Sequence, residues 1–133
     1  MNRAELLRRL RELPFDPAEY WLLAGGAMVL YGFREETADL DLGCCAALAD
    51  RLERAGCLYR RTEDGKRWLK LNAQVELFED WLEDRICSLD GVRVVSVTGL
   101  MEMKRKLGRE KDLRDIRQIR EALAAGAVSP ELI

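Results

Sequence analysis

The stretch from Leu22 to Leu42 constrains this chain more than any other. It opens as a short apolar run, Leu22-Leu23-Ala24, and breaks at Gly25-Gly26. It continues through Ala27-Met28-Val29-Leu30-Tyr31 to Gly32, then re-emerges after a polar link as Asp39-Leu40-Asp41-Leu42. A β-strand turns alternate side chains to opposite faces, so Leu40 and Leu42 share one face and Asp39 and Asp41 the other. Residues at i and i+2 of an extended chain lie roughly 6.5–7 Å apart at Cα. At that spacing both carboxylates can converge on one or two divalent cations. A glycine pair at the opening of a helix lets backbone N–H groups approach a phosphate. The stretch therefore predicts strand, turn, short helix and strand, with a nucleotide and metal site between the glycines and the aspartates. The plainer reading of the aspartates is the solvated face of an amphipathic strand. Against it, strands are depleted in Asp, so two of them bracketing a leucine are unusual.

The chain contains no histidine. That removes Ser-His-Asp and Cys-His hydrolases, His-ligated zinc centres and imidazole acid–base chemistry. Any chemistry must run on carboxylates, lysines and arginines. The 133 residues suffice for one core, and residues 1–133 read as a single domain. Apolar residues at 48% and charged residues at 35% give a globular balance, and a net charge of −2 argues against a polybasic coat or membrane binder. No apolar run approaches the roughly 18–20 residues of a membrane span. Cys44, Cys45, Cys57 and Cys87 form no Cys-x-x-Cys pair, and Met1–Leu13 carries charges rather than a secretory apolar core. Reduced thiols in a cytoplasmic protein are the expectation, with no zinc knuckle.

Periodicity supplies the remaining elements. Leu6, Leu7, Leu10 and Leu13 fall at helical spacing and Pro14 ends that helix. Tyr20–Ala24 reads as a strand, Gly26–Tyr31 as a short helix stopped by Gly32, and Ala46–Ala55 as a helix closed by Gly56. Cys57–Arg61 and Arg67–Leu71 read as strands joined across Asp64-Gly65, a hairpin signal. Gln74–Phe78 and Val92–Val97 read as two more strands, while Trp81–Asp90 fits neither period. Thr98 can cap a helix beginning at Gly99, Gly108 breaks it, and Leu113, Ile116, Ile119 and Leu123 give the last helix an inward face. This order predicts an α+β fold, a mixed β-sheet packed with α-helices. Trp21, Trp68 and Trp81 are spread along the chain and read as core residues.

Gly25-Gly26, the spacer, and Asp39-Leu40-Asp41-Leu42 resemble the signature of the nucleotidyltransferase superfamily related to DNA polymerase beta. That signature is an apolar residue, Gly, Gly or Ser, a spacer, then Asp-x-Asp/Glu among apolar residues. The wording around Ala27, Gly32 and Thr37-Ala38-Asp39 is most similar to the small prokaryotic branch that includes abortive-infection toxins and drug-modifying adenylyltransferases. A second stretch resembles the same branch: Lys104, then Arg109-Glu110-Lys111-Asp112-Leu113-Arg114-Asp115-Ile116. The resemblance implies that Asp39 and Asp41 bind Mg²⁺ and that Gly25 and Gly26 contact the triphosphate of ATP or another NTP. Two positions depart from the pattern. Glu35 stands where relatives often carry arginine, and Gly26 offers no hydroxyl where relatives can carry serine.

Nucleotidyl transfer needs in-line positioning and cations more than covalent help from protein. A two-metal site commonly uses a third carboxylate, which also serves as base for the attacking hydroxyl. Glu76, inside the apolar run Val75–Phe78, is the candidate, with Glu79 and Asp80 as competitors at the strand's end. Lys104 and Lys111 suit point-charge contact with phosphates, although Lys111 and Asp115 also form an ordinary i,i+4 pair. Asp112 and Asp115 read as helix-start charges partnering nearby arginines. The expected activity is Mg²⁺-dependent transfer of a nucleoside monophosphate from an NTP to a hydroxyl on a small molecule, RNA or protein. The alternative is a catalytically silent binding or regulatory subunit of the same fold. The short chain suggests a homodimer or a helical partner protein, as in a toxin–antitoxin pair.

Overall fold

A computed structural model describes residues 1–133. Seven strands form one mixed sheet: β1 (Tyr20–Leu23), β2 (Leu40–Cys44), β3 (Leu58–Arg61), β4 (Arg67–Lys70), β5 (Val75–Glu79), β6 (Ile86–Leu89) and β7 (Val92–Val95), in the order β3-β4-β5-β2-β1-β7-β6. β2 runs parallel to β5, and β1 parallel to β7; the other neighbours are antiparallel. Five helices accompany the sheet: α1 (Arg3–Glu12), α2 (Ala24–Leu30), α3 (Ala46–Arg54), α4 (Val97–Leu107) and α5 (Glu110–Ala124). The fold is the expected α+β arrangement, a mixed sheet packed with helices.

The alternation in β2 divides the sheet into two chemically distinct faces. Leu40, Leu42 and Cys44 are buried with Val75 and Leu77 of β5 and Leu69 of β4. Register confirms that they share a face: Leu42 pairs with Leu22 on one side and Leu77 on the other, and Leu77 pairs with Leu69. Helix α2 packs on β1 and β2, α3 on β4, and α4 on α2 and α5. The opposite face carries Asp41, Glu76, Phe78, Trp68 and Lys70, which are half-buried or exposed.

Several local expectations change. The corner between β1 and α2 is made by Ala24, at φ 50°, whereas Gly25 and Gly26 lie inside the helix. The residue that bends the backbone is therefore an alanine in the left-handed region, a strained conformation for a residue with a Cβ. Helix α4 starts earlier than Thr98: Ser96 is its N-cap, with Oγ accepting from the Gly99 N–H at 3.0 Å. Residues 81–85 form a loop, and the ambiguous segment then becomes strand β6. Its hairpin to β7 turns through Asp90 (φ 51°) and Gly91 (φ 77°), the two left-handed positions that a tight hairpin requires. Leu113 is exposed rather than inward-facing; the inner stripe of α5 is Asp112, Asp115, Ile116 and Ile119. No helix is long and apolar enough to cross a membrane.

Candidate active site

Strand pairing brings the proposed carboxylates together. Asp41 on β2 lies directly across from Glu76 on parallel β5, one strand spacing away, or about 4.8 Å. β5 lies between β4 and β2, so Glu76 is an interior residue of the sheet. Asp39 is exposed and sits just before the strand begins, so the pair is split between the strand and its approach. Burial raises the Asp41 carboxyl to about 6, and the charges of Glu76 and Asp39 push in the same direction. Lys111 and Lys104 oppose this. Four charged neighbours thus act on Asp41, two raising and two lowering its carboxyl, on top of burial. The competitors of Glu76 are committed elsewhere. Glu79 accepts from Arg67 Nε at 3.0 Å and Nη2 at 2.8 Å, which holds its carboxyl down at about 2, and Asp80 pairs with Lys66 at 2.8 Å.

The glycines serve close packing. A Cβ on Gly26 would meet Leu22 Cδ1 at 2.7 Å, and one on Gly25 would strike the Thr37 hydroxyl. Gly25 therefore lets the polar link that carries Thr37 lie against the start of α2. Gly26 is buried and seats α2 on β1. Helix α2 has no side-chain N-cap.

The basic motif divides. Lys104 is buried and points into the α4–α5 interface, where its Nζ lies 2.8 Å from Asp115 Oδ2 and 3.8 Å from Asp112 Oδ1. It is a structural cation here, not a free phosphate contact. Arg34 donates to both Asp115 oxygens at 2.8 and 2.7 Å, and Arg109 Nε donates to Asp112 at 2.6 Å. Asp112 and Asp115 thus have the structural role expected of them. Lys111 is exposed in the first turn of α5, near enough to Asp41 to act on its charge.

A cleft of about 870 Å³ opens on this face; its lining includes Ala24, Asp41, Glu76, Trp68, Trp81 and Arg109. Trp68 is not a core residue. It is half-buried, and its Nε1 donates to Glu76 Oε2 at 2.9 Å. Its ring stacks on Phe78 with centroids 5.3 Å apart. The alternation of β4 (Arg67 buried, Trp68 half-buried, Leu69 buried) carried the signal for this placement.

This architecture has a counterpart among solved structures. The chain is similar to the crystal structure of ANT(2")-Ia in complex with adenylyl-2"-tobramycin, with a TM-score of 0.54 and 15% identity, covering 95% of this chain and 88% of that one. The fold is nucleotidyltransferase-like. No protein-family model and no curated protein sequence matches the chain.

The donor set suits a hard divalent cation. All three candidate groups are carboxylates, and Mg²⁺ is commonly held by one or two carboxylates together with waters and substrate phosphates. No three acidic or thiol groups are gathered into a ready cage. The reasons are visible in the side chains, since Asp39 lies outside the strand and one Glu76 oxygen is held by Trp68. Asp41 and Glu76 are the two candidates that strand register sets side by side.

Proposed function

We propose that the chain is a nucleotidyltransferase that moves a nucleoside monophosphate from an NTP such as ATP to a hydroxyl acceptor, with Mg²⁺. The observation that carries this reading is the Asp41–Glu76 register pair, both lining the cleft together with Ala24, in a nucleotidyltransferase-like fold. Asp41, with Asp39 and Glu76, would hold Mg²⁺, which offsets the charge that develops on the triphosphate. The triphosphate would lie on the cleft side of Asp41, where exposed Lys111 in the first turn of α5 adds positive charge. Glu76 receives the proton of the acceptor hydroxyl as its oxygen attacks the α-phosphorus; the α–β phosphoanhydride bond breaks and pyrophosphate leaves. Trp68 fixes the other Glu76 oxygen and so the orientation of that carboxylate. An aminoglycoside-like acceptor, by analogy with the structural neighbour's ligand, is one candidate class.

One observation favours a second reading. Glu76 Oε2 is bonded to Trp68 and no three-carboxylate cage is preformed, as in a protein that binds nucleotide without turning it over. Calorimetric titration of ATP with Mg²⁺ into wild type, Asp39→Asn and Asp41→Asn tests the site itself. Heat in the wild type and its loss in the variants supports either reading. Release of pyrophosphate by the wild type then selects the transferase. Equal heats in all three proteins would overturn both.

A further inference from the structure

Beyond Glu76, toward the free edge of the sheet, lies a second groove of about 400 Å³, lined by Leu58, Tyr59, Arg60, Trp68, Lys70 and Glu76. Strand register builds it. Arg60 of β3 pairs with Trp68 of β4, and Lys70 of β4 lies between Leu58 of β3 and Glu76 of β5. The Arg60 guanidinium lies over the Trp68 ring, 3.8 Å from its centroid, and Trp68 in turn stacks on Phe78. These three groups make a stepped stack ending in an exposed planar cation. Guanidinium planes, like aromatic rings, accept stacked nucleobases.

The charges of the groove select the ligand further. Neighbouring cations are spent within the chain: Arg61 on Glu53 at 3.7 Å and Lys66 on Asp80 at 2.8 Å. Arg60 and Lys70 make no ion pair and face the groove from adjoining strands. The one carboxylate in the lining, Glu76, has an oxygen already satisfied by the indole. A flat group carrying negative charge fits this arrangement, whereas a polyamine would meet two unpaired cations.

We infer that this groove seats a nucleotide unit, its base stacked on the Arg60–Trp68 pair and its phosphate beside Lys70. Two sources share that chemistry, the terminal unit of a single-stranded nucleic acid and a free nucleotide. With a strand, the terminal hydroxyl would lie toward Glu76, which makes the groove the acceptor seat. That last assignment rests on the transferase reading; the binding itself does not.

The experiment is fluorescence anisotropy of a short labelled single-stranded oligonucleotide titrated with wild type, Arg60→Ala, Arg60→Lys and Lys70→Ala. Both positions are exposed, and unchanged thermal unfolding establishes that the variants fold. Loss of a stacking or phosphate contact weakens binding by about tenfold. Lys70→Ala also lowers the log–log salt slope by about 0.7, the value for one phosphate contact on a single strand. Arg60→Lys keeps the charge but not the plane and behaves like Arg60→Ala. Competition by AMP at concentrations where it matches the unlabelled oligonucleotide assigns the seat to a free nucleotide; much weaker competition assigns it to a strand. Wild-type affinity in all the variants, or no binding of oligonucleotide or AMP by wild type, overturns the inference. Calorimetry with ATP and Mg²⁺ on the same samples keeps the two questions apart. Binding of ATP without oligonucleotide or AMP binding sinks the groove alone, and oligonucleotide binding without an Asp41-dependent ATP heat sinks the transferase reading alone.

Discussion

Replacing Asp41 by Asn should stabilise the metal-free protein near neutral pH and have little effect in acid. Asp41 is half-buried, with fully buried Leu23 and acidic Glu76 on the flanking strands. Burial and the charges of Glu76 and Asp39 raise its carboxyl from 3.8 to about 6. The folded state therefore holds the proton more tightly than the unfolded state. Asp41 thus costs the fold nothing below about pH 4, destabilises it increasingly as pH rises toward 6, and keeps that cost above it. Taken at face value the difference corresponds to roughly 3 kcal/mol, and solvent screening of a half-buried group brings the expectation to about 1–2 kcal/mol. Asn keeps the shape without the charge. Urea unfolding of both proteins at a series of pH values checks this. The Asp41→Asn advantage should be about 1–2 kcal/mol at pH 7.5 and vanish by about pH 4. A variant equally stable or less stable than wild type at pH 7.5 would refute the electrostatic account of the site.

Lys104→Ala removes the cation shared by buried Asp112 and Asp115 and should destabilise the fold by about 3 kcal/mol, measured by urea unfolding. If Lys104 served phosphates instead, the variant would keep its stability and lose only affinity for ATP. Glu79 titrates with the opposite sign to Asp41. The Arg67 guanidinium holds its carboxyl down at about 2, so its contribution is complete above 4.5 and is lost as pH falls through 2. Acid unfolding of wild type should therefore show a dependence in that window that is flattened in Glu79→Gln.

The fold was legible where periodicity was strong. Leu40 and Leu42 against Asp41 foretold the two faces of β2, and Asp64-Gly65 foretold the β3–β4 hairpin. Asp90-Gly91 carries the same hairpin signal, yet Trp81–Asp90 stayed ambiguous because β6 is a short edge strand whose residues lack clean alternation. That Asp41 and Glu76 leave the buried face was legible, because a strand fixes which side chains share a face; that β2 and β5 set them side by side was not. Glu79 read only as a competitor at the strand's end; the structure keeps it inside β5 on the other face, buried against Arg67. Lys104 was not legible. A helix pattern gives the position of a lysine but not whether a second helix brings two aspartates against it. The turn was misplaced for a related reason: glycine suggested bending, whereas the structure uses Gly25 and Gly26 for close approach and bends at Ala24. Trp68 went unrecognised because its neighbours on the open face, Arg60 and Phe78, come from other strands.

If Asp41 and Glu76 are the core of a divalent-cation site that works with a nucleotide, cation uptake depends on both. Binding of Mn²⁺, as a spectroscopic substitute for Mg²⁺, can be followed by electron paramagnetic resonance in the presence of ATP. Wild type and Glu79→Gln should remove free Mn²⁺ signal beyond what ATP alone removes, and Asp41→Asn and Glu76→Gln should not. Equal Mn²⁺ uptake by wild type and Asp41→Asn would contradict the account.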